Sequence, residues 1–438
     1  MYDYNGIYFF DASYRRDASS IFHRDHRWGN FYSLGFSYLI SRESFFNVPW
    51  IDDLRFKISA GQNGNDQIGM SRLMYEDSFN IDNVDGSIAL SFHARGNRYI
   101  TWETRTAMNT GVEFQMFRRR LTGNVDYYIN RTSDMLSSVS VPFHLGYSSF
   151  WANVGSMRNS GVEFDLRYDV VRRADLRVAV YFNASMNRSK ILELAEERRG
   201  ENLLNFDGSV AARGYSSGNY FIGEGLEFRT WRLRRFAGVD EMGRSTWYVR
   251  DAITGEMSTT TEFGVATHFA SGSSQPRMLG GFGTNVEWRS WQLNMAFVYR
   301  LGGYGIDNGY RSLMEPPRAG RTGFNYHRDT RHFWTAENPR NDFPRWQFND
   351  LNVTAASDRW LTRSDYLSLQ NISLGWSVPR SFTERVGIEG ATISAGVDNL
   401  FILTHRRGFI PFNNFDGSIE LGYYPEMTRY MLNFNLRF

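Results

Sequence analysis

Residues 429–438 read RYMLNFNLRF. Tyr430, Leu432, Phe434, Leu436 and Phe438 alternate there with Arg429, Met431, Asn433, Asn435 and Arg437. Successive side chains of a β-strand point to opposite faces, so this spacing gives one greasy face and one wet face. The same reading holds at 121–130, where Leu121, Val125, Tyr127 and Ile129 oppose Thr122, Asn124, Asp126, Tyr128 and Asn130. It holds again at 161–169, where Val162, Phe164, Leu166 and Tyr168 oppose Glu163, Asp165, Arg167 and Asp169. These are dyads, not helices.

Comparable segments lie near 7–15, 31–41, 54–62, 102–116, 176–187, 220–235, 245–251, 280–289, 291–303, 366–376 and 391–403. Together they predict about fourteen strands. Within 366–376 the alternation changes phase, Leu367 and Leu369 giving way to Ile372, Leu374 and Trp376, which predicts a β-bulge near Gln370. Many segments reach about ten residues, the length that a tilted strand needs to cross a bilayer; strands of soluble sheets average about five to six. Short links at 117–120, 171–175 and 289–290 alternate with long ones at 65–101, 252–278, 304–365 and 404–427. Short turns on one side and long loops on the other are the asymmetry of outer-membrane barrels. Counting back from a last strand that ends on the periplasmic side puts every long loop outside. One domain spanning 1–438 is the expected organisation.

Composition agrees with a barrel whose outside is aromatic and whose inside is wet. Of 438 residues 16% are aromatic, yet the mean hydropathy is −0.46. The net charge of +2 provides no basic field for nucleic acid. With no cysteine, disulfides and thiolate metal sites are excluded. No apolar run is long enough for a transmembrane helix, and residues 1–10 lack the basic and apolar regions of a signal peptide. Lys57 and Lys190 are the only lysines, so nearly every cation is an arginine. Guanidinium groups suit bidentate contacts to lipid phosphates, and they suit any protein surface equally; genomic base composition explains the bias as well.

Several segments, in order, resemble SusC-like (RagA-like) TonB-dependent outer-membrane transporters. They are ASYRRDASS at 12–20, RWGNFYSLGFSYLIS at 27–41, SAGQNGNDQIG at 59–69 and WETRTAMNTGVEF at 102–114. NVGSMRNSGVEFDL at 153–166 is the most specific, and AGVDEMG at 237–243, PRMLGGFGTNVEW at 276–288, DYLSLQNISLGWSVPR at 365–380 and AGVDNLFILT at 395–404 follow. The resemblance implies an all-β transmembrane antiparallel barrel of a Gram-negative outer membrane. The chain would be the C-terminal portion of it, about the last fourteen of roughly 22 strands, with the plug domain and the first strands outside this chain. It implies TonB-driven import of glycans, oligosaccharides or peptides, with outer-membrane lipids, a SusD-like surface lipoprotein and the TonB complex as partners. No enzyme activity, cofactor or metal is expected. Phe438 matches the family's C-terminal aromatic, which helps the barrel assembly machinery recognise its client; it is equally the last lipid-facing position. Two other readings remain: a soluble or surface-bound all-β glycan-binding protein or hydrolase, and a passive porin.

For ligand contacts the long loop 304–365 is the place to look. It carries Tyr310, Phe324, Tyr326, His327, Phe333, Trp334, Trp346 and Trp360 interleaved with Arg321, Arg328, Arg331, Arg340 and Arg345. Aromatic faces stack on sugars or peptide side chains and guanidinium groups hold carboxylates. The same residues would serve as the loop's own core, since a long ordered loop needs one. No single substrate-binding residue is assigned. His23, Asp25 and His26 lack a further spaced metal ligand and are expected in a solvated loop. Glu196 and Glu197 are adjacent and point apart, so 190–199 is expected as a charged loop, at most one helical turn. GGFG at 280–283 lacks the lysine of a phosphate loop and is expected inside a strand.

Overall fold

In the computed structural model the described residues are 1–66, 75–84, 86–140, 147, 149–320, 323–406, 408–411, 418 and 426–438. They form two compact units, Met1–Gly200 and Glu201–Phe438. The first holds eight consecutive antiparallel wall strands: β1 (Tyr2–Tyr4), β2 (Tyr8–Ala18), β3 (Trp28–Leu39), β4 (Ile51–Asn65), β5 (Glu103–Met116), β6 (Leu121–Ser133), β7 (Ser156–Arg172) and β8 (Leu176–Glu193). The second holds five: β9 (Met278–Trp288), β10 (Trp291–Leu301), β11 (Tyr366–Ser377), β12 (Gly390–Thr404) and β13 (Arg429–Arg437). Apart from β1 these strands run 9 to 18 residues, enough to cross a bilayer.

The register turns the sequence alternation into bands. In the second unit Thr284, Met295, Ile372, Val397 and Tyr430 lie side by side, as do Val286, Leu293, Leu374, Ala395 and Leu432. A row of Trp288, Trp291, Trp376, Ile393 and Phe434 borders them, with the Trp291 and Trp376 rings stacked at 5.9 Å. On the reverse face lie Asn285, Asn294, Ser373, Gly396 and Met431, where the Asn285 amide donates to Asn294 Oδ1 at 2.7 Å. The first unit repeats the scheme: Phe10, Phe36, Ile58, Thr110, Tyr127, Val162 and Met186 form one apolar row. Large side chains on this face stand open to solvent, Tyr430 at 77%, Leu432 at 62% and Phe434 at 65%. In water each would forfeit about 1.5–3 kcal/mol of burial. In a bilayer the apolar face meets hydrocarbon, and the tryptophan-bearing end of β9, β10 and β11 meets the headgroups.

The turns follow the same logic. Asn5 and Gly6, both at positive φ, lie in the three-residue link, Asn5 to Ile7, that closes β1 onto β2. Arg289 takes positive φ in the two-residue link from β9 to β10. Between β5 and β6 three consecutive side-chain-bearing residues, Phe117, Arg118 and Arg119, are left-handed, with φ of 58°, 62° and 59°. They are held by Asp52, whose carboxylate accepts from the Arg119 amide at 2.8 Å, and by Trp50, whose carbonyl accepts from the Phe117 amide.

Twelve of the expected strands lie in the walls, and the bulge falls where the phase change puts it: the β10 and β11 partners skip Gln370 between Leu369 and Asn371. GGFG at 280–283 lies inside β9, as expected. The strand 176–187 continues to Glu193, so Lys190 belongs to the wall and only Glu196–Arg198 forms a 3-10 turn. Two expectations fail. Segments 220–235 and 245–251 are not wall strands. Tyr220–Gly223 and Thr230–Arg234 join Glu201–Leu204, Val210–Ser217 and His268–Ser273 in a small closed barrel around Leu203, Ala212 and Phe221. Ser245–Arg250 is the middle strand of a separate sheet with Phe236–Val239 and Met257–Thr260. At four to eight residues these strands are too short to cross a membrane. Trp231 and Leu233, within the expected strand 220–235, are 2% and 1% exposed in a core of the loops.

Candidate functional site

Two surfaces carry the chemistry. The first is the polar face of the Met1–Gly200 unit. Phe9, Ser37, Lys57, Gly111, Asp126 and Glu163 form one row there, and Asp11, Gly35, Ser59, Asn109, Tyr128 and Gly161 the next. Lys57 Nζ meets Glu113 Oε1 at 2.5 Å, and the Asn124 amide donates to Asp126 Oδ2 at 2.5 Å. Gly111 makes room for this: a Cβ there would come within 2.0 Å of Asp126 Oδ1. A hollow of about 330 Å³ opens over Phe9, Asp11, Lys57, Asn109 and Asp126. It offers two carboxylates, the Asn109 amide and one ammonium group to a solute in water, beside the apolar surface of Phe9 and Phe36.

The second surface is the body built from the long loops of the Glu201–Phe438 unit. Residues 302–365 leave the wall through a narrow neck. Gly302 and Gly303 both take positive φ, the Gly302 amide donates to the Asp365 carboxylate, and the Ser364 amide donates to Gly303 O at 3.0 Å. Tyr304–Ile306 then pairs with Leu361–Arg363. Beyond the neck the loop is sewn to 236–250: Phe236 N donates to Asp358 Oδ1 at 2.8 Å, Val239 N to Asn341 Oδ1 at 2.9 Å and Arg345 N to Gly243 O at 2.7 Å. Gly243, at φ of 76°, admits the Trp334 ring, which a Cβ there would meet at 2.4 Å.

Most of the aromatic residues singled out in this loop are its core. Phe333 and Trp360 are 5% and 2% exposed, packed with Trp231, Leu233, Ile306, Met314 and Val353; Tyr310 and Trp346 lean on them. Phe324 and Tyr326 remain open, at 56% and 38%, over a hollow of about 200 Å³ that Leu313, Glu315 and Pro316 complete. The guanidinium groups also divide. Arg340 clamps Asp342 with two bonds of 2.9 and 2.8 Å, Arg345 donates to Met242 O at 3.2 Å, and Arg328 approaches Asp329 at 3.8 Å. Arg331 is exposed, and Arg321 lies outside the described residues.

Charge inside the body is expensive and tightly placed. Asp307, 2% exposed, accepts from the Tyr310 amide at 2.8 Å and pairs with Arg406, whose guanidinium lies 4.2 Å from the Tyr310 ring centre. Tyr310 Oη donates to Asp329 Oδ2 at 2.9 Å; burial and that carboxylate hold its hydroxyl well above the ordinary phenol range. Arg359 sits over Phe236, Phe343 and Trp360, and burial pulls it down to about 10. His268 is pushed down to about 4 by burial and by the neighbouring Arg232 and Arg234. Sequence reading missed this Arg232, Arg234 and His268 group because the residues are distant in the chain and meet only through the pairing of Arg234 with His268.

Elsewhere, His23 Nδ1 lies 3.2 Å from Asp25 Oδ2, and His26 leans on Tyr99; among the described residues no cluster of three potential metal ligands occurs. Glu196 pairs with Arg199 at 2.6 Å. Phe438 is 82% exposed, in phase with the apolar face of β13.

The family described as TonB dependent receptor-like, beta-barrel, matches residues 1–248. TonB-dependent receptor P39 of Formosa agariphila is 26% identical across the whole chain, which covers 45% of that protein. TonB-dependent receptor SusC of Bacteroides thetaiotaomicron is 22% identical over 98% of the chain and 42% of its own length. Among solved structures, the RagAB peptide transporter superposes with a TM-score of 0.81 at 26% identity, over 99% of this chain and 46% of that one. The RagAB peptide importer in its open-open state gives 0.83 at 26%, over 100% and 46%. The chain thus spans a little under half the length of the relatives it matches.

Proposed function

Because this chain belongs to the TonB-dependent receptor-like β-barrel family and so to the outer membrane, we propose that it serves in TonB-driven import of peptides or oligosaccharides across that membrane, acting with a SusD-like surface lipoprotein. The observation that carries this is the likeness to RagAB over nearly the whole chain, with a TM-score of 0.81. RagAB is a peptide transporter. In this reading residues 1–438 act as one portion of the barrel. The polar wall face around Lys57, Glu113 and Asp126 lines the route, and the loop body presents Phe324 and Tyr326 to solute or lipoprotein. No bond is made or broken in the cargo. Transport needs a surface that holds the cargo weakly enough to release it, which polar groups in water do better than a closed pocket. Phe438, in phase with the apolar residues of β13, is proposed as the aromatic that the assembly machinery recognises.

The test is deletion of the gene in its native host, with uptake of labelled peptides and oligosaccharides measured with and without TonB. Import is expected to fail for one of these classes and to be restored by the intact gene. Unchanged uptake of both would refute the reading. Substitution of Phe438 by Ala is expected to lower the assembled protein in the outer membrane without changing uptake per assembled molecule.

A further inference from the structure

The bias toward arginine acquires a location in the first unit. Arg158 on β7 is directly opposite Arg131 on β6 and Lys190 on β8. The three form one row, on the same face as Tyr127, Val162 and Met186, which is the apolar face. Thr106 and Gln62 continue the row onto β5 and β4, and Arg188 sits one position lower, opposite Ser160. All four cations are exposed. Among the described residues Arg131, Arg158 and Lys190 make no ion pair with any carboxylate.

Like charges placed directly opposite one another across strands are destabilising. A wall with freedom to place acids or amides here instead holds three cations abreast, followed by a hydroxyl and an amide. Such a break with local preference is expected where a ligand supplies the missing charge. Its height is informative. The row lies ten positions from Leu121 at the short-turn end of β6; at about 3.4 Å per residue and a tilt of about 40°, that is about 26 Å above the periplasmic rim. An apolar band is about 25 Å tall, so the cations stand at its upper edge, on the side of the long loops, where the headgroups of the outer leaflet lie.

We propose that Arg131, Arg158 and Lys190 form a binding site for the phosphate groups of an outer-leaflet lipid, whose acyl chains lie along Tyr127, Val162, Phe182 and Met186. Two guanidinium forks and an ammonium offer charge-assisted bonds to phosphate oxygens, and the hydrocarbon below distinguishes a lipid from a free anion. This site rests on the membrane location alone, not on what the barrel imports.

The experiment uses the protein extracted from its own outer membrane, delipidated in detergent and titrated with bisphosphorylated lipid A or with the same lipid after phosphatase treatment. Native mass spectrometry reads the bound lipid. The phosphorylated form is expected to bind at least about tenfold more tightly. The variant Arg131→Gln/Arg158→Gln/Lys190→Gln should lose that preference. A charge-matched variant, Arg24→Gln/Arg105→Gln/Arg119→Gln, should keep it. Equal binding of the two lipid forms by the unaltered protein overturns the proposal, even if the triple variant fails to assemble. So does equal loss in the charge-matched variant, or complete displacement of the lipid by millimolar inorganic phosphate.

Discussion

Replacing Trp360 with Ala tests whether the loop body has a core of its own. The ring is 2% exposed within the cluster of Trp231, Leu233, Ile306, Met314, Phe333 and Val353. Its Nε1 donates to Ala355 O at 3.0 Å, Tyr310 meets it edge-on at 5.8 Å, and the Arg359 guanidinium lies 4.9 Å from its centre. Truncation of such a residue costs about 3–5 kcal/mol through lost transfer energy and the cavity left behind. The unpaired Ala355 carbonyl adds about 1 kcal/mol. A deficit of about 5 kcal/mol is comparable to the whole stability of a small domain, so the body should open while the walls persist. In detergent, limited proteolysis of the variant is expected to cut within 304–365 at protease levels that leave the parent intact. Hydrogen exchange should accelerate at Ile306 and Trp231 but not at Leu293 or Val397. Unchanged protection at Ile306 would refute the reasoning, because it would mean that the cluster does not hold the loop.

Acid should loosen the same body. His268 titrates near 4 instead of its ordinary 6.5, so below pH 6.5 the unfolded chain binds a proton that the folded body refuses. Stability is complete above pH 6.5 and falls as pH approaches 4, by about 3 kcal/mol in total at about 1.4 kcal/mol per unit; His268→Gln should flatten that slope in urea melts taken between pH 7 and 4. At the β5–β6 turn, Arg118→Gly relieves one left-handed residue at φ of 62° and should stabilise the folded barrel by about 1 kcal/mol, read as slower unfolding in urea. Asp307→Ala removes both the acceptor for the Tyr310 amide and the partner of half-buried Arg406, and should cost about 2–3 kcal/mol, detected as loss of loop protection in hydrogen exchange. Deleting Gln370 leaves Leu367, Leu369, Ile372 and Leu374 on one face in unbroken alternation, so normal outer-membrane assembly is expected; an assembly defect would show that the bulge itself is required.

Much of the wall was legible because a lipid-facing strand repeats every second residue and has nothing else to satisfy. The bulge at Gln370 was visible for the same reason, since an extra residue must change the phase. Segment 220–235, which holds Trp231 and Leu233, reads as a wall strand because a strand packed on a loop core obeys the same period as one packed on lipid. What separates them is length and interruption: Gly223 and Gly225, two residues apart, break the middle of the segment 220–235, whereas 121–130 carries the single Gly123 near its start. The two expected strands that failed, 220–235 and 245–251, are neighbours in the chain, so losing both left the alternation of short and long links intact. Contacts that join distant parts of the chain, such as Asp307 with Arg406 or Phe236 with Asp358, carry no local signal at all. The cation row across β6, β7 and β8 was similarly hidden, because sequence shows three separated basic residues and only the register sets them abreast.

The neck at Gly302, Gly303, Ser364 and Asp365 has a consequence for how such a protein can change over generations. Closing a loop at its base makes the cost of what lies beyond nearly independent of its length, since each doubling adds only about 0.6 kcal/mol of closure entropy. Sixty residues can therefore be lengthened, shortened or exchanged as a cassette between two fixed wall strands. Novelty can accumulate at the cell surface while the membrane-embedded frame inherits unchanged.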